Sequence, residues 1–166
     1  MDSVGRVNAR VLTGLLVPAD AERPLSLRAV ADTAAAISDL LGGVLLDNAE
    51  AWNLGRGVSA SVYWAEDRAG LPVNDRLSVL ATRLGIVDRT FHAAARGDAL
   101  LLGTTRQGRD VDVPGAVAMA ADRCGYPVAP VTSPAPVLAG AALTRHAGYQ
   151  NPVQPGDRSG RGPTHE

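Results

Sequence analysis

Val58-Ser59-Ala60-Ser61-Val62-Tyr63-Trp64 sets Val58, Ala60, Val62 and Trp64 against Ser59, Ser61 and Tyr63, the two-residue alternation of a half-buried β-strand. The strand begins inside Gly55-Arg56-Gly57-Val58-Ser59-Ala60, which also fits the G-x-G-x-x-G/A dinucleotide fingerprint. That fingerprint works only when a helix follows the glycines and offers its N-terminus to a pyrophosphate. Because a strand follows, the glycines form a hairpin turn, and a Rossmann cofactor site is rejected. One face of the strand packs on a core, and the Ser59, Ser61 and Tyr63 face is wet or lines a site.

Working toward the N-terminus, the apolar run 44–46 continues raggedly to Trp52 and makes the partner strand of the hairpin. Before it, Leu27, Val30, Ala34, Ile37 and Leu41 recur at spacings of three and four. They predict a helix with Ser26 as its cap and Gly42-Gly43 as its stop. Residues 10–17 read as a buried strand ended at Pro18-Ala19-Asp20. Arg6 and Arg10 precede this run and Ala19-Asp20-Ala21 follows it, but it is too short and interrupted for a signal peptide.

Working toward the C-terminus, Leu77, Leu80, Ala81 and Leu84 predict a short helix capped by Asn74 or Asp75 and ended by Gly85. Residues 86–96 suit either helix or strand, and 99–104 read as a buried strand. A polar turn, 106–109, leads to a last helix with Pro114 near its first turn, containing Val117, Ala121 and Cys124. Seven prolines then crowd the final forty residues with few large side chains beside them, a composition that buries too little to offset ordering entropy. The expectation is one α+β domain over 1–126, with a mixed or antiparallel sheet of about four to five strands and two to three helices packed on it. A Pro/Gly-rich tail over 127–166 follows, within which 137–149 is a candidate docking segment.

Composition excludes more than it suggests. All 16 cationic residues are Arg, so no lysine Schiff base, phosphate-loop lysine or kinase-type lysine exists. A net charge of -1 gives no summed positive field for general nucleic-acid binding. Cys124 is the sole cysteine, which rules out an internal disulfide and suits a reducing cytoplasm. No apolar stretch is long enough to span a membrane. His92, His146 and His165 stand alone, without a ligand at metal spacing. No G-x-S-x-G elbow occurs. The reading contains no catalytic residue, metal or cofactor.

Leu71-Pro72-Val73-Asn74-Asp75-Arg76 is the most distinctive segment. Asn presents both a donor and acceptors, and Arg a rigid donor fork, at a helix start, where an anion is favoured. Asn74 and Arg76 are therefore candidates to grip a phosphate or carboxylate, weighed against a cap and surface pairing with Asp75 or Glu66. Trp52 and Tyr63 are candidates to stack on a planar ligand, and Ser59 and Ser61 line the polar strand face between them.

The order of a strand ending V-P-A-D, a helix, G-G-V-L-L, an aromatic strand, G-L-P-V-N-D-R over 70–76 and G-D-A-L-L-L-G over 97–103 resembles a family of small uncharacterised proteins. This is domain of unknown function family 3846, spread among actinobacteria, their phages and mobile elements. The resemblance covers roughly 11–128, and its L-P-x-N-x-R element is the most specific part. It implies a habitat more than a mechanism.

The reading is of a non-enzymatic accessory protein of such a phage or mobile element, acting by binding an unknown host protein. The alternative is a protein that sequesters a small anionic, nucleotide-type ligand at Asn74 and Arg76, with the site formed between subunits of a homo-oligomer. A second alternative, a metal-independent hydrolase, needs Asp47, Glu50 or Glu66 to converge with Arg76.

Overall fold

The computed structural model describes residues 9–132, with the backbone alone given for 48–51 and 132. Its elements run β1 (Val11–Val17), β2 (Leu25–Ala31), α1 (Ala34–Leu40), β3 (Leu46–Asn53), β4 (Ser59–Ala65), α2 (Asp75–Arg83), α3 (Arg89–Ala94), β5 (Ala99–Thr104), β6 (Asp110–Val111), α4 (Gly115–Arg123) and β7 (Val128–Thr132). The fold is α+β. The strands form one mixed sheet in the order β3-β4-β5-β1-β2-β7, with β6 paired to β5 off that path. Every pairing is antiparallel except β2 with β7, which is parallel.

Strand alternation sorts the apolar residues onto two faces. Leu15 and Val17 of β1, Ala60, Val62 and Trp64 of β4, and Ala99 and Leu101 of β5 pack with Leu77, Leu80, Phe91, Val117 and Ala121 of α2, α3 and α4. On the opposite face Leu12, Leu16, Val30, Leu100 and Leu102 pack with Ile37 and Leu41 at α1. The sheet is thus buried on both sides, which explains why Leu100-Leu101-Leu102 runs apolar without alternation. Gly14 supplies the room this needs, since a Cβ there would lie 2.7 Å from Leu100 Cδ1 and 2.9 Å from Leu102 Cδ2.

Two expectations are corrected. The helix predicted over 27–41 is a strand in its first half: Leu25–Ala31 is β2, paired with β1 from Leu16↔Ser26 to Val11↔Ala31. Residues 25–31 satisfy both periods, with Leu25 packed on the three-helix face and Val30 on the α1 face. The unpaired edge of β1 selects the strand. The helix cap is accordingly Thr33, whose Oγ1 accepts the Ala36 N–H at 3.2 Å, not Ser26.

The second correction concerns the domain end, because β7 adds to the sheet beside β2, beyond the boundary expected at 126. The rest of the expected tail, with 137–149, lies outside the described residues. The expected α+β class with helices packed on a mixed sheet stands, with seven strands and four helices among the described residues.

Candidate functional site

The segment 71–76 ties three parts of the fold together. Asn74 is fully buried and caps α2, its Oδ1 accepting the Leu77 N–H at 3.0 Å. Its Nδ2 donates to Val17 O at 2.9 Å and Gly97 O at 2.8 Å, so both amide hydrogens are engaged. Arg76 donates from Nη1 to Arg23 O at 2.7 Å and from Nη2 to Pro18 O and Asp20 O. It fastens the β1–β2 loop through carbonyls rather than pairing with Asp75 or Glu66. Asp98 secures the same loop, accepting from Ala19 N at 2.9 Å and Arg23 Nη1 at 2.7 Å. Gly97 N donates to Pro72 O, and Asn74 N to Ala95 O. The two sequence elements at 70–76 and 97–103 therefore interlock, and Asn74 serves the fold.

Neither Asp47 nor Glu66 forms an ion pair with Arg76 among the described residues. Asp47 Oδ2 accepts from Trp64 Nε1 at 3.2 Å and from Arg68 Nη1 at 2.9 Å, while Arg76 is engaged at the β1–β2 loop. Glu66 is exposed, and the Glu50 side chain lies outside the described residues. Trp52 is buried rather than available to stack on a ligand: its ring meets Phe91 edge-on at 5.1 Å, and Trp64 also stacks on Phe91 at 5.2 Å.

The polar face of β4 leads to one end of the sheet. Ser61 is buried and hydrogen-bonded to Thr104 Oγ1 of β5, and Tyr63 is half-buried with its hydroxyl donating to Asp110 Oδ2 at 2.6 Å. Arg10 completes this cluster by donating to Asp110 O and lying 3.5 Å from Asp32. Burial, reinforced by the hydrogen bond and charge of Asp110 and then by Asp32, pushes the Tyr63 phenol well above its ordinary range. Burial also holds the Asp110 carboxyl above the usual aspartate range; the Tyr63 hydrogen bond and Arg10 oppose the shift and Asp32 adds to it.

A carboxyl whose folded pKa is raised binds its proton more tightly in the native state. Native stability should therefore fall as pH rises from the ordinary aspartate value through the raised one, and level off above it. Urea titrations across this window should show that fall, and Asp110→Asn should remove it. An unchanged slope in the variant would assign the effect elsewhere.

Ser59 faces Thr104 in the β4–β5 register, so the turn before β4 and the turn after β5 emerge side by side. Val58 N donates to Gly55 O at 3.0 Å, closing a turn whose central residues Arg56 and Gly57 have φ of 54 and 76. Both positive values define the type I′ geometry that matches strand twist. The second turn is closed by Gly108 N to Thr105 O at 2.9 Å and Arg109 N to Thr105 Oγ1 at 3.1 Å. Between the two turns lies a concavity of about 410 Å³, lined by Ser59, Thr104, Thr105, Arg106 and Gln107 together with Val58, Val111 and Pro114.

Arg106 leans across to the neighbouring turn, its Nη2 3.5 Å from where a Cβ of Gly57 would stand. The exposed side chains of Arg56, Arg106 and Arg109 pair with no carboxylate among the described residues. Of the candidate site residues named from the sequence, Ser59 alone lines this concavity; Arg106 lines it without having been a candidate, and Arg56 and Arg109 stand on the same two turns outside its lining. Arg76 borders a separate cleft of about 530 Å³ with Leu25, Tyr126 and Pro127.

No family model and no curated protein matches the chain. Among solved structures, the crystal structure of small RNA methyltransferase HEN1 aligns with a TM-score of 0.47 and 15% identity, over 66% of this chain. The aligned part is 16% of that protein's chain. No helix among the described residues is long and apolar enough to cross a membrane.

Proposed function

We propose that the protein acts by binding, and that its recognition site is the sheet-end concavity, which receives an anionic group. In the setting implied by the sequence resemblance, it would serve a phage or mobile element as an accessory protein. The observation that supports this reading is Arg106, an exposed guanidinium that reaches toward Gly57, lines the same concavity as Ser59, Thr104 and Thr105, and has no carboxylate partner among the described residues. Guanidinium forks are suited to planar or tetrahedral oxyanions, and a preformed concavity lowers the ordering cost of binding.

A ligand that binds only the native state raises its stability by about 2.7 kcal/mol at a hundredfold excess over Kd. Thermal unfolding in sodium phosphate, sodium pyrophosphate and sodium citrate, at matched ionic strength, should therefore shift upward with at least one anion. Arg106→Ala should lose the shift. If none of the three anions shifts the wild-type midpoint, the proposal is wrong.

A further inference from the structure

We infer that the sheet-end concavity is a site for a phosphorylated small molecule, recognised by its phosphate, rather than for a carboxylate or a nucleic-acid strand. This rests on the anion-binding reading above and adds the ligand class. Donor number separates phosphate from carboxylate. The rim offers the Arg106 fork, the Ser59 hydroxyl and the Thr105 hydroxyl, whose oxygen already accepts the Arg109 N–H and so directs its proton elsewhere. A carboxylate has two oxygens to receive these donors, while a phosphate monoester has three terminal oxygens in tetrahedral array.

Charge agrees, because Arg56 and Arg109 flank Arg106 on the same two turns, and the nearby carboxylates are engaged elsewhere: Asp110 by Tyr63, and Asp112 by Thr13 N at 2.7 Å. Arg106 lines the concavity, and Arg56 and Arg109 on its flanking turns add positive charge nearby, a setting suited to a dianion or a pyrophosphate.

Size and surroundings separate a small molecule from a polymer. The concavity of about 410 Å³ lies within the range of small-ligand sites, roughly 300–1,000 Å³. Val58, Val111 and Pro114 give the same concavity an apolar part of its lining, suited to the uncharged body of the ligand. The net charge of -1 supplies no field along which a strand could extend. Arg56 adds a further sign of specialisation. Its φ of 54 lies in the left-handed region, at a turn corner where Asn or Gly sits with less strain, and such outliers gather at ligand sites.

Isothermal titration calorimetry on the full chain tests this with sodium phosphate, sodium pyrophosphate, AMP, sodium citrate and an oligothymidylate lacking terminal phosphates. The expected order places pyrophosphate and AMP about tenfold or more tighter than citrate, the scale of one charge-assisted hydrogen bond. Arg106→Ala should weaken both by about tenfold or more, with Arg106→Lys in between because it keeps the charge but loses the fork. Arg83→Ala on α2, away from the concavity, should bind as the wild type does.

Citrate binding as tightly as pyrophosphate would overturn the phosphate assignment and leave anion binding standing. Oligothymidylate binding at least as tightly as AMP would overturn the small-molecule assignment. Wild-type affinity in Arg106→Ala would overturn the location. Failure of every anion to bind would overturn the parent reading as well.

Discussion

Asn74→Ala should lower the unfolding free energy by about 3 kcal/mol or more, the sum of a lost helix cap and two buried carbonyls that each lose the donor Asn74 supplies. The residue is 0% exposed and joins α2 to the end of β1 and the start of β5 through Leu77 N, Val17 O and Gly97 O. Against a typical domain stability of about 5–15 kcal/mol, this is a large fraction. Urea denaturation followed by circular dichroism measures it.

Asn74→Asp separates the two contributions. It keeps an acceptor for the Leu77 N–H but turns a carboxylate oxygen toward two carbonyl oxygens in a buried site, so it should destabilise at least as much as the alanine. Near-native stability in the aspartate variant would reduce Asn74 to a helix cap.

Phe91→Ala should cost about 3–5 kcal/mol, the usual range for truncating a core phenylalanine. The ring of α3 lies between Trp52 of β3, edge-on at 5.1 Å, and Trp64 of β4, stacked at 5.2 Å. Its removal opens a cavity and deletes two aromatic contacts at once. These are the chain's two tryptophans, so their emission reports the change directly. The variant should unfold at lower urea and show red-shifted native emission, with Phe91→Leu intermediate in stability. A wild-type midpoint in Phe91→Ala would mean that α3 contributes little to holding the core.

The elements that were legible in the sequence had a single period. The alternation of 58–64 appears as β4, and its apolar members Ala60, Val62 and Trp64 meet the three-helix face. The run 99–104 appears as β5, and the Asn74 cap begins α2. Residues 25–31 were misread because Leu25, Leu27 and Val30 satisfy both helical and extended spacing, and only the demand of β1 for a partner decides between them. Composition hid β7: its proline and small residues look like a tail, yet parallel pairing with β2 needs little more than backbone.

The candidate site was legible in one residue, Ser59. Asn74 and Arg76 stood out for the right chemistry, but burial directed that chemistry inward to carbonyls of the chain itself. The arginines of the two turns left no signal, because exposed turn residues have no periodicity. Their proximity depends on the Ser59↔Thr104 register, set by pairing between residues 37 to 45 positions apart in the chain. The L-P-x-N-x-R element that carries the resemblance therefore identifies a fold-stabilising joint, while the proposed recognition surface lies outside it.

Arg56 gives laboratory selection a diagnostic. A residue other than glycine in the left-handed region gives up about 1 kcal/mol or more, and at φ of 54 a change to Gly or Asn recovers much of that. A mutant library enriched for heat resistance alone should drift toward Gly or Asn at position 56. The same library enriched for retention of a phosphate-bearing ligand should keep Arg there. Sequencing that one codon after each regime would show which pressure the turn answers to.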